Sequence, residues 1–178
     1  MHHLVFDVES LGVGGPSVAW GAVLFDATGE ELLATGCCRH RDEWAALALA
    51  VDAPQEDLTW AEQHVNTTGC EIVEGRSIYD KFYLLWNAFR TQEVVGDHHL
   101  WADVPFPCET RFLSMLKRDD QPYPLLDVAS VLYAAGMDPL GTYDRLPSEL
   151  PRHNPINDAR QSGRMLFEAL VKIRQKEI

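Results

Sequence analysis

The stretch Leu4-Val5-Phe6-Asp7-Val8-Glu9 sets two carboxylates at i and i+2 inside a β-branched and aromatic run. Residues two apart on a strand point to the same side, about 6.5 Å apart along the chain. Asp7 and Glu9 therefore share one face of a predicted strand, and Leu4, Phe6 and Val8 share the other. A buried strand does not tolerate two neighbouring like charges unless a cation lies between them. A divalent ion is the simplest such cation, and carboxylate oxygens are the ligands that Mg²⁺ or Mn²⁺ prefers. The bland reading is an edge strand with both acids in water.

The rest of the chain spaces its elements around that strand. Val18–Phe25 and Glu31–Thr35 read as two further strands, separated by the turn signal Asp26-Ala27-Thr28-Gly29. The first 36 residues thus predict a three-stranded antiparallel meander. Helices are expected over Glu43–Val51 and Asp57–Val65, and a third opens at Ser77 as N-cap. In that third helix Tyr79, Phe82, Tyr83, Trp86 and Phe89 recur at helical spacing. Such a stripe is what burial of one helix face demands, rather than a platform for stacking bases.

Beyond it, His99–Trp101 and Leu125–Asp127 read as short strands. Pro105 and Pro107 mark a turn, Glu109–Lys117 carries helical pattern, and Leu125–Asp127 leads into a helix through Met137. Residues 138–153 form a Pro/Gly-rich loop long enough to be functional. Asn154-Pro155 is a helix start, Asn at N-cap and Pro at N1, of a helix running to Gln175. Small residues Ala159, Ser162 and Gly163 let that helix pack closely on a sheet. The expected class is α/β, a mixed sheet flanked by helices, in one domain over residues 1–178.

The formal net charge is −12, which argues against nucleic-acid binding through one broad basic surface. It leaves room for a nuclease that holds its substrate locally, through metal ions in a small cleft. The four cysteines, Cys37, Cys38, Cys70 and Cys108, show no C-x-x-C or zinc-ribbon spacing. No signal peptide pattern and no bilayer-length apolar run are present. The expectation is a cytoplasmic protein with free thiols and no membrane contact.

The second informative segment is His153-Asn154-Pro155-Ile156-Asn157-Asp158. His153 lies just outside the last helix, with an unperturbed pKa near 6.5 suited to taking a proton from water. Asp158 lies in the first turn, on a rigid element suited to fixing a metal. Alone, an acid there complements the helix dipole, and a loop histidine is polar surface.

Taken together, D-x-E in a first strand and H-x-x-x-x-D at a C-terminal helix resemble the outer motifs of the DEDDh 3′–5′ exonucleases. That superfamily includes the proofreading subunit of bacterial replicative DNA polymerase, ribonuclease T and oligoribonuclease. The meander and the segment Leu58-Thr59-Trp60-Ala61-Glu62-Gln63 are similar to the small exoribonuclease-like branch found in bacteria and phages.

The resemblance implies a ribonuclease H-like fold and a nucleic-acid substrate with a free 3′ end, and leaves a homodimer open. It also implies two Mg²⁺ or Mn²⁺ ions about 3.5–4 Å apart. Asp7 would bridge both ions, Glu9 and Asp158 would complete the first site, and His153 would deprotonate the attacking water. Ser10, Leu11 and Gly12 would line the 3′-terminal nucleotide, and Trp60 would either wedge against a base or fill the core.

The family's middle motif, an aromatic-Asp pair opening a helix, is missing from Leu100-Trp101-Ala102-Asp103-Val104-Pro105-Phe106-Pro107-Cys108-Glu109. Two acids compete for its role. Glu109 has Phe112, Leu113 and Leu116 at +3, +4 and +7, the register of an acid facing the site, and is favoured. Asp103 ends the strand. Asp127 reads as a cap or turn residue before it reads as an outlying acid of the site.

A catalytically impaired binding domain is the main alternative. Asp97-His98-His99 spells the signature of DHH phosphoesterases, but that family's further Asp motifs and second domain have no counterpart here. A zinc site from His98, His99 and Asp103 is weak because adjacent strand residues face opposite ways.

Overall fold

In the computed structural model, residues 2–91, 98–103, 107–117, 121–122 and 125–176 are described. Asp97 of the Asp97-His98-His99 signature and the Pro105 turn lie outside them. Six strands form one sheet: β1 His2–Ser10, β2 Ser17–Phe25, β3 Glu31–Arg39, β4 Glu71–Val73, β5 His98–Ala102 and β6 Leu125–Asp127. Their order is β4-β3-β2-β1-β5-β6. β1, β2 and β3 pair antiparallel, as the meander predicts. β4, β5 and β6 add in parallel. This is the α/β, ribonuclease H-like mixed sheet that the sequence predicts.

Among the described residues, six α-helices flank the sheet: α1 Asp42–Ala50, α2 Gln55–His64, α3 Ser77–Thr91, α4 Pro107–Ser114, α5 Val128–Ala134 and α6 Pro155–Lys176. On one face Leu4, Phe6 and Val8 meet Phe82, Trp86 and Phe112 from α3 and α4. Phe82 sits with its ring centroid 5.1 Å from those of Phe6 and Phe112. The aromatic stripe of α3 is core, as its spacing predicts. On the other face Val5, Val23 and Phe25 meet Val128, Leu132, Ile156, Ala159 and Leu166 from α5 and α6. Each fully buried aliphatic or aromatic side chain is worth about 1.5–3 kcal/mol.

Several boundaries differ from the sequence reading. β3 runs on to Arg39, whose buried guanidinium is satisfied by the carbonyls of Ser17 and Gly75. β4 was not expected; three residues, two of them exposed, leave no periodicity to read. The amide of Asp80 donates to Arg76, so Arg76 and not Ser77 precedes the first turn of α3. α4 stops at Ser114 and α5 at Ala134, followed by Gly136 at φ 74°. Among the described residues, no helix is long and apolar enough to cross a membrane.

One row of the sheet fixes where α6 starts. Asp7 pairs with Gly21, and Gly21 with Gly36. A Cβ on Gly21 would lie 2.2 Å from the backbone nitrogen of Ile156, and one on Gly36 would lie 2.9 Å from the Ile156 side chain. The two glycines form a floor on which the N-terminus of α6 rests, directly beside Asp7. Asn154 caps that helix, its Oδ1 accepting from the amides of Ile156 and Asn157. Its side-chain amide donates to Asn66 and to the Thr68 carbonyl, tying the cap to the chain ahead of β4.

Candidate active site

A cleft of about 650 Å³ opens at the C-terminal end of β1. Its walls carry Asp7 and Glu9 from β1, Asp103 after β5, Glu109 from α4, and His153 and Asp158 at the start of α6. All six acid and histidine residues singled out from the sequence therefore line one cavity.

Asp7, Glu9, Glu109 and Asp158 are each at most 9% exposed. Burial, with the neighbouring carboxylates Glu9, Asp103, Asp158 and Glu109, pushes the Asp7 carboxyl well above the usual range. Burial and the charges of Asp158 and Asp103 push Glu9 up to about 8. Glu109 is raised by burial and by Asp103. Asp158 is raised by burial, against the pull of Arg145 and His153. Without a divalent ion, Glu9 keeps its proton at neutral pH.

The hydrogen bonds show which oxygens remain open. β1 outruns β5, whose last paired residue, Ala102, lies beside Phe6. The amide of Val8 instead donates to Glu109 Oε1 at 3.0 Å. Glu109 Oε2 and Asp7 Oδ2 are buried and have no hydrogen-bond partner among the described residues. Two orphaned carboxylate oxygens in a cleft of acids fit a hard divalent cation. Glu9, His153 and Asp158 each offer a ligand atom, all within 4.8 Å of one another. Asp7, Asp103 and Glu109 stand outside that triad. His153, expected as a base, is thus also placed as a ligand would be.

His153 is not the loose loop residue the sequence suggests. Its φ of 55° is a conformation L-residues rarely adopt. Hydrogen bonds hold it there from both sides: its amide donates to Asp158 Oδ2 at 3.0 Å, and its carbonyl accepts from Asn66 at 2.7 Å. The ring lies at the cleft mouth, Nδ1 3.9 Å from Glu9 Oε1. Burial lowers its pKa, opposed by Asp158, so at neutral pH it is unprotonated and free to accept a proton.

The expected substrate contacts divide. Ser10 lines the cleft and donates to the Gly12 carbonyl at 2.7 Å. Leu11 does not reach the cleft: it is 1% exposed and packs with Val18, Trp44 and Leu58. A strand-end leucine followed by a turn is drawn into the core that α1 and α2 close. Gly12 lines the cleft at φ 72°, but a Cβ there would lie 2.2 Å from Asp57 Oδ2. The close approach that Gly12 permits is that of a side chain of this protein. Trp60 is 41% exposed and lines the cleft, outside the apolar core. It stacks on His64 at 5.0 Å and meets the His153 ring edge-on at 5.0 Å. Asp127 serves as a cap, accepting from the amides of Ala129 and Ser130 at the start of α5.

Sequence reasoning missed three participants. Arg145 donates to Asp158 Oδ1 and, at 2.9 Å, to the Glu149 carbonyl. Ser162 donates to Asp103. His64 joins Trp60 and His153. The length of the 138–153 loop was the only signal for the first. Ser162 was read for its small size, and His64 had no motif around it.

No family model matches the chain, and no curated protein matches its sequence. Solved structures match its fold. Exonuclease I of E. coli, in a zinc-bound complex with single-stranded DNA, aligns with a TM-score of 0.52 at 13% identity, over 98% of this chain and 41% of that one. Exonuclease I of Methylocaldum szegediense aligns with a TM-score of 0.51 at 12% identity, over 99% of this chain and 41% of that one. The chain thus spans about two-fifths of the length of these enzymes, and at this identity the likeness is one of fold.

Proposed function

We propose that this chain is a metal-dependent 3′–5′ exonuclease that hydrolyses phosphodiester bonds at the 3′ end of single-stranded or overhanging nucleic acid. The observation that carries the reading is the convergence of five acids and His153 on one cleft, with buried oxygens of Asp7 and Glu109 left unpartnered. The E. coli fold neighbour described as bound to single-stranded DNA supports it. Within that reading, the branch proposed is the small exoribonuclease-like one, on the likeness of the meander and the Leu58–Gln63 segment.

Asp7, Glu9 and Asp158 would hold one Mg²⁺ or Mn²⁺, with Asp7 shared to a second held by Glu109 or Asp103. The ions, when bound, supply Lewis acidity that makes water acidic and stabilises charge on the phosphoryl oxygens. His153 takes the proton of the water whose oxygen bonds to phosphorus, and the 3′ oxygen of the penultimate nucleotide leaves. Ser10 and the Gly12 backbone border the terminal nucleotide, and Trp60 offers a face for its base.

Arg145, seated on Asp158, favours a second reading: a binding domain of the same fold with impaired catalysis. Degradation of matched 3′-overhang DNA and RNA separates the two. Shortening from the 3′ end in Mg²⁺ or Mn²⁺, stopped by chelator, is expected. Intact substrate in every metal tested would leave the binding domain.

A further inference from the structure

Both oxygens of Asp158 are taken, Oδ1 by Arg145 and Oδ2 by the His153 amide. The Arg145 side chain is 14% exposed and enters from the 138–153 loop. The backbone beside it is tied down by hydrogen bonds. Residues 147–149 form a 3₁₀ turn, and Glu149, buried, accepts from the Leu146 amide and from Arg164. Among the described residues, the side chain's hydrogen bonds run through Nη1, to Asp158 and the Glu149 carbonyl. The cleft therefore contains its own cation, on the carboxylate nearest Glu9 and His153.

We propose that Arg145 is a built-in counter-cation, which covers the ligand face of Asp158 in the metal-free protein, yields it to the divalent ion, and then engages a phosphate of the nucleic acid. This rests on the nuclease reading. Arg145 and the metal compete for the same carboxylate. A metal that takes Asp158 Oδ1 must break a nearly buried guanidinium–carboxylate pair, so the pair sets the threshold for metal binding. A guanidinium displaced inside a cleft does not stay unpaired. The anion that arrives with the substrate is a phosphodiester, whose oxygens match the guanidinium fork. The bare protein then resists binding a metal until substrate gives Arg145 another partner.

The test measures Mn²⁺ affinity by calorimetry without nucleic acid, and KM for a 3′-labelled oligonucleotide at saturating Mn²⁺. Arg145→Gln should bind Mn²⁺ about tenfold more tightly than wild type, the equivalent of about 1.4 kcal/mol, while its KM rises. Damage to structure would weaken both, so the opposite signs are the signature. Arg145→Lys keeps the charge and stands in if the Gln variant does not fold; its affinity should fall between the two. Arg152→Gln removes a cation from the same cleft that makes no such pair with Asp158, and should tighten Mn²⁺ far less. Unchanged or weaker Mn²⁺ binding by Arg145→Gln overturns the proposal, as does equal tightening by Arg152→Gln. Tighter Mn²⁺ binding with unchanged KM overturns the phosphate contact. No Mn²⁺ binding by either wild type or Arg145→Gln sinks the nuclease reading as well, whereas wild-type binding with an unresponsive Arg145→Gln leaves that reading standing.

Discussion

The two flanks of the acid cleft are built differently. On the β1–α6 flank, Asp7, Glu9 and Asp158 come from two long regular elements, and backbone contact brings them together. Gly21 and Gly36 remove the side chains that would hold α6 off the sheet. On the β5–α4 flank, Asp103 sits where a five-residue strand ends, and Glu109 reaches across from α4 to the Val8 amide. The first flank relies on close packing, the second on the length of one side chain. A carboxylate placed by packing should tolerate no change, and one placed by reach should show its role through chemistry alone.

The largest effect is expected at the packed flank. Asp7→Ala and Asp158→Ala should each lower hydrolysis of a 3′-labelled strand by about a thousandfold or more, with the circular dichroism spectrum unchanged. Retained activity in Mn²⁺ would break the assignment. His153→Ala should slow turnover about 10²–10⁴-fold, the range of a positioned proton acceptor. Calorimetry on that variant sharpens the reading of the triad with Glu9 and Asp158. Unchanged Mn²⁺ affinity is expected, and a collapse would make His153 a ligand.

At the reaching flank, Glu109→Gln preserves the bond from Val8 while removing the charge. It should cost about a hundredfold in turnover if Glu109 holds the second ion, and Asp103→Asn about tenfold or less. The reverse ranking would give that role to Asp103.

Two smaller effects concern stability. Gly21→Ala should cost about 1–3 kcal/mol in a denaturant titration, because α6 must shift to make room. It should also weaken Mn²⁺ binding, since Asp158 moves with the helix. The pH dependence follows from the raised carboxyls. Glu9, at about 8 in the fold, binds its proton more tightly there than in the unfolded chain. Its contribution is fully present below about pH 4.5 and is lost as pH rises through about 8. The melting temperature of metal-free protein should fall across that window. Mn²⁺ should reverse the fall by binding the ionised form. A flat profile in chelator would contradict the buried cluster.

What the sequence made legible follows from these two constructions. The alternation in Leu4–Glu9 located both the strand and its acidic face, because periodicity and buried charge act within a few residues. Asn154-Pro155 located the start of α6 for the same local reason. Gly21 and Gly36 were invisible as site residues, since their meaning depends on Ile156, more than a hundred residues away. Arg145 was hidden in a loop without period, and its partner Asp158 had been assigned to a metal. Leu11 was placed at the substrate because of its neighbours in the motif, and apolar burial decided otherwise.

The proposed chemistry requires Asp7 and Asp158, far apart in sequence, to share divalent ions. The direct measurement is anomalous scattering from manganese-soaked crystals. Two peaks are expected, both touching Asp7, one shared with Glu9 and Asp158 and one with Glu109 or Asp103. A cleft that stays empty at saturating manganese, with Arg145 still on Asp158, would contradict it.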